Sequence, residues 1–215
     1  IGKLSWRAAD LGRALDAYRR AAQMDSGYAG VLEGLAAAQK ATGDTAAAIA
    51  TLQQIASLDT SGSGRERVAG ALGVLLYEQE RYAEAIPHLR EKLRSAPDVP
   101  VLYRLLGLCY IRMEDYAAVM SEVKPALDRA VAAYPAVPRL GAEYVLLATE
   151  MYSAGRYGDA IALFQERLKQ EPESGSLYLN IGFSHFVQKE YGKALPALRK
   201  AVQYQPDNAQ AHLYA

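Results

Sequence analysis

The 215-residue chain is poor in the residue types that usually carry chemistry: one cysteine, three histidines, three phenylalanines and one tryptophan. Cys109 has no second thiol to pair with, and its place in an apolar helical stretch suits a small buried hydrophobe. His88, His185 and His212 have no His, Cys or carboxylate at metal-ligand spacing, so no metal is expected. No Walker loop, Gly-x-Ser-x-Gly elbow, His-Glu-x-x-His pair or dinucleotide fingerprint occurs, so no catalytic residue and no cofactor are expected either. Charge of one sign is lacking too, because 24 Lys and Arg balance 24 Asp and Glu. That balance argues against a nucleic-acid partner, whose binding draws on a basic stripe and counterion release. No apolar run reaches the roughly 18 residues of a membrane span. Mixed-sign stretches such as Arg90, Glu91, Lys92 and Arg94 read as solvated helix faces with local pairing.

What the chain does have is a period. Tyr144, Tyr157, Ala160 and Pro172 return 34 residues later as Tyr178, Tyr191, Ala194 and Pro206. Numbering the unit so that Pro206 is position 32 puts Leu147-Ala148 and Ile181-Gly182 at positions 7 and 8. Leu35-Ala36, Leu72-Gly73 and Leu106-Gly107 fill the same slots upstream. Ala48, Ala85, Ala160 and Ala194 stand at position 20, while Ala14, Tyr18 and Ala21 continue the pattern toward the start. Small residues at positions 8 and 20 let two helices approach closely, and large residues around them fill the remaining space. Most of the 15 tyrosines occupy these packing slots, including Tyr18, Tyr82, Tyr103, Tyr110 and Tyr116.

Punctuation follows the same period. Gly43-Asp44 and Gly155-Arg156 mark the turn inside a unit, with glycine in the left-handed conformation and Asp44 capping the next helix. Pro97-Asp98 and Pro206-Asp207 are expected to stop one unit and cap the next. Two steps are longer. Leu35 to Leu72 spans 37 residues, and the surplus is assigned to a flexible Ser61-Gly62-Ser63-Gly64 loop. Tyr103 to Tyr144 spans 41, with Pro125 inside the second helix and Pro135 and Pro138 beyond it, which predicts a long helix kinked at the proline.

A 34-residue step with these residues at these offsets resembles the tetratricopeptide repeat along nearly the whole chain. The resemblance implies an all-α fold, a right-handed α-solenoid superhelix of antiparallel helix-turn-helix repeats. The expected units are about 1–28, 29–65, 66–99, 100–140, 141–174 and 175–208, with 209–215 starting a further helix. Ile1-Gly2 already fits positions 7 and 8, so truncation at both ends is expected, and the compartment stays open between cytoplasm and periplasm for a soluble chain.

In that family the first helices line the concave face, with positions 2, 5, 9, 12 and 13 pointing into it. Those positions share a helical face distinct from 4, 7, 8 and 11. Carried over, and with position 6 added at Asn180, they name Tyr77, Arg104, Leu108, Ile111, Val145, Thr149, Tyr152, Leu179, Asn180, Phe183 and Phe186 as candidate partner contacts. The face runs from mixed and shallow (Gly30, Glu33, Ala37, Lys40) to apolar and aromatic near the C-terminus. Phe183, Phe186, Tyr152 and Leu179 are the expected anchors, unless the two phenylalanines merely pack on the next helix.

Two specialisations of the family do not fit. A carboxylate clamp needs Lys at position 5, where this chain has Glu33, Gly70, Arg104, Val145 and Leu179. An asparagine ladder needs Asn at position 6, where only Asn180 matches among Gly34, Ala71, Leu105, Leu146, Asn180 and Tyr214. The expected function is therefore a non-catalytic scaffold that binds an apolar or amphipathic protein segment, extended or helical. The alternatives are an accessory region of a larger enzyme or of a secretion or polysaccharide-assembly protein, and a self-associating scaffold.

Overall fold

Five residues spaced by the unit lengths, Gly43, Glu80, Glu114, Gly155 and Lys189, carry positive φ of 85°, 58°, 59°, 74° and 61° in a computed structural model of the chain. Each ends one helix and releases the next. The N–H of the following residue reaches back five positions to a carbonyl: Asp44 to Gln39, Arg81 to Leu76, Asp115 to Tyr110, Arg156 to Met151 and Glu190 to His185, all at 2.8–3.0 Å. Such left-handed caps satisfy carbonyls that a helix end leaves open. Asp44 and Asp115 then cap the next helix, each accepting from the backbone N–H three residues on at 3.1 Å.

The structure describes residues 8–25, 27–58 and 62–214, and no strand occurs among them. They fall into two compact bodies, divided between Ser95 and Ala96. The first holds α1 (Ala8–Met24), α2 (Ala29–Ala41), α3 (Thr45–Leu58), α4 (Ser63–Glu78) and α5 (Tyr82–Ser95). The second holds α6 (Pro100–Arg112), α7 (Tyr116–Ala118), a π turn (Val119–Val123), α8 (Lys124–Ala133), α9 (Pro138–Ser153), α10 (Tyr157–Gln170), α11 (Gly175–Val187), α12 (Tyr191–Tyr204) and α13 (Ala209–Tyr214). Each body is a run of antiparallel helix pairs, an all-α repeat solenoid.

The packing slots behave as their sizes require. Ala48, Ala85, Ala160 and Ala194 are buried, as are Leu72, Leu106, Leu147 and Ile181. A Cβ on Gly73 would stand 2.7 Å from Leu89 Cδ2, and one on Gly182 would stand 2.7 Å from Leu198 Cδ2, with the partner backbone nitrogen at 3.3 Å in both. Gly107 differs, because its added Cβ would meet Leu147 of the next repeat at 2.4 Å rather than its own second helix.

That second helix is the irregular one. The Lys124 N–H bonds to the carbonyl of Val119, five residues back, so one wide turn precedes Pro125, which then sits at the start of α8. A proline has no N–H to give and its ring crowds the carbonyl four residues back, so widening the preceding turn relieves both problems. The irregularity expected at Pro125 is therefore a π turn just before it.

Other expectations are corrected. Ser63 and Gly64 are the first turn of α4, not loop, and Gly64 is buried; Ser61 lies outside the described residues, as do Ile1 and Gly2. Asp98 does not cap α6, whose cap position is Val99 followed by Pro100. Asn208, not Asp207, caps α13 by accepting from the Ala211 N–H at 3.1 Å.

Candidate functional site

In the second body the first helices α9, α11 and α13 contribute to one cavity of about 290 Å³, lined by Thr149, Tyr152, Leu179, Asn180, Phe183 and Gln210, with Phe164 of α10 completing the wall. Five of these seven residues are candidates named from the sequence. Phe164 fills a core slot of its own repeat and Gln210 stands in the short last helix, so neither was named, although Gln210 lies at position 2 of its unit. The wall is apolar on Phe164, Leu179 and Phe183, and its polar groups are all uncharged. Tyr152 packs edge-on against Tyr157 at 5.1 Å, and burial raises its phenol pKa. The Thr149 hydroxyl donates to the Val145 carbonyl at 2.8 Å and keeps its lone pairs for another donor.

The remaining candidates are not in that cavity. Phe186, 37% exposed, lines a separate slot of about 200 Å³ with Tyr191, Ala194, Leu195, Leu198 and Tyr214. Phe183 and Phe186 both meet Tyr214 edge-on, at 4.9 and 5.2 Å, so part of their surface does pack on α13. Ile111 is 5% exposed and Leu179 7%, which makes both mainly core residues. Leu108 and Val145 are half-buried. Tyr77, in the first body, packs on Tyr82 at 5.6 Å.

Arg104 is engaged with charge rather than free. It faces Glu143 at 3.5 Å, and Arg112 faces Glu150 at 3.2 Å, both pairs running from α6 to α9. The first body repeats the arrangement, with Arg67 on Glu33 and Lys40 at 3.7 Å from Glu78, between α2 and α4. Glu33, Lys40 and Arg67 there rim a cleft of about 340 Å³ floored by Leu52, Val68 and Leu75.

Tetratricopeptide-repeat family models match residues 6–72, 71–138 and 145–211. The chain belongs to the tetratricopeptide repeat family. Among solved structures it is similar to YrrB, described as a TPR protein with an unusual peptide-binding site, at 22% identity and a TM-score of 0.57 over 93% of this chain and 98% of that one. It is also similar to MamA, at 18% identity and a TM-score of 0.58 over 85% and 94% of the two chains. A tetratricopeptide repeat protein from Parabacteroides merdae gives 16% identity and a TM-score of 0.56 over 96% and 78%. No curated protein matches.

Two ionisable groups of these tetratricopeptide repeats, Cys109 and Glu143, are buried. Burial pushes the Cys109 thiol up to about 12, which keeps it protonated at neutral pH. Among the described residues no group of three or more His, Cys, Asp or Glu is placed to hold a metal ion, and no helix is long and apolar enough to cross a membrane. Glu143 is 4% exposed, and its Oε2 has no hydrogen-bond partner. Burial raises its pKa, an effect that Arg104 opposes. A raised carboxyl pKa in the folded state means that ionisation costs stability at neutral pH, a cost that disappears as pH falls below the carboxyl range. Glu143→Gln should therefore be as stable as the parent, or up to about 1 kcal/mol more stable, at pH 7. Urea unfolding at pH 7 and at low pH checks this: any gain should shrink on acidification, and a marked loss at pH 7 would show that the ion pair is net stabilising.

Proposed function

We propose that this tetratricopeptide-repeat chain is a non-catalytic interaction scaffold that holds a protein segment on the face of its first helices, chiefly in the second body. One observation carries the reading: Thr149, Tyr152, Leu179, Asn180 and Phe183, spread over two repeats, meet in a single open cavity whose wall mixes aromatic surface with uncharged polar groups. Apolar concavities with a few convergent polar groups are what ligand sites consist of. A segment bound there gains from desolvated aromatic anchors. The peptide-binding site of YrrB belongs to that protein, and what this chain shares with it is the fold.

The test is to block the cavity without disturbing the core. Thr149 is exposed and makes only a local hydrogen bond, so Thr149→Arg fills the opening at little cost to folding. Partners captured on the immobilised parent protein should be lost on Thr149→Arg and on Phe183→Ser, with affinity weakened about tenfold or more. Circular-dichroism melting of Thr149→Arg should match the parent. Partners that bind both variants as tightly as the parent, with the fold intact, would remove the cavity from the function.

A further inference from the structure

We draw no further inference here: the strongest candidate, the apolar slot that Phe186, Tyr191, Leu195 and Tyr214 line at the α12–α13 end of the second body, is an unpartnered face, and nothing in the structure shows what covers it.

Discussion

Gly182→Val should destabilise the protein by about 3 kcal/mol, and Gly182→Ala by about 1 kcal/mol even though alanine is the better helix former. Position 182 is buried between α11 and α12, where the added Cβ would lie 2.7 Å from both Leu198 Cγ and Cδ2 and 3.3 Å from the Leu198 backbone nitrogen. Leu198 is itself buried, so it has little room to turn away. Helix propensity gives alanine roughly 1 kcal/mol over glycine, while overpacking a dense contact costs about 1–3 kcal/mol. Overpacking therefore wins, narrowly for Ala and clearly for Val, whose branched side chain forces the two helices apart. Gly192→Ala is the control, because nothing lies within 4 Å of a Cβ built there and only the propensity gain operates. Urea denaturation of the three variants would give the order Gly192→Ala, parent, Gly182→Ala, Gly182→Val from most to least stable. A Gly182→Ala protein as stable as Gly192→Ala would mean that the small residue at position 8 is not a packing requirement.

The same packing rule explains how much of the fold is readable in the chain and where reading stops. Position 8 glycines and position 20 alanines announce close helix contacts, because only their size satisfies the geometry. The left-handed turn is announced at Gly43 and Gly155 but hidden at Glu80, Glu114 and Lys189, which adopt the same φ without the residue type that advertises it. Only the spacing could have found them. Asn208 rather than Asp207 as the cap, and Ser63-Gly64 as helix rather than loop, are one- or two-residue differences at element ends, where local hydrogen bonding decides. The candidate face was legible where position alone selects residues, as with Thr149, Tyr152 and Phe183. Phe164 and Gln210 were not, because the cavity draws on a core slot of one repeat and a short helix of another, and helical periodicity treats each helix by itself. The division of Phe183 from Phe186 also escapes periodicity: three residues apart on α11, they line different concavities because Tyr214 sits against both.

Lys124→Met should cost about 2–3 kcal/mol at neutral pH, discounted from the 3–5 kcal/mol of a fully buried broken pair because the group keeps some contact with solvent. The π turn delivers Lys124 to a largely buried position, 18% exposed, where its ammonium donates to Asp128 at 2.9 Å and reaches Glu166 of α10 at 2.8 Å. Tyr144 donates to the other Asp128 oxygen at 2.6 Å, and Lys169 holds Glu166 from the outer side at 2.6 Å. Removing the ammonium leaves two carboxylates facing one another's repeat without their shared cation. Burial alone would raise the pKa of Glu166 and lower that of Lys124, but in each case the hydrogen-bonded partners prevail, so Glu166 is held below its ordinary 4.5 and Lys124 above its ordinary 10.5. The depressed Glu166 contributes stability that is present above 4.5 and lost as pH falls through its folded value; the raised Lys124 contributes below 10.5 and is lost as pH rises through its own. The parent should accordingly hold a plateau of stability between those limits. The difference from Lys124→Met should close at strongly acidic pH, where the carboxylates protonate. Adding Glu166→Leu to Lys124→Met removes one stranded charge and should recover part of the loss, as apolar replacement of both partners in such pairs does. Equal stability of Lys124→Met and parent at pH 7, or a double variant weaker than the single, would show that the wide turn before Pro125 is held by packing alone.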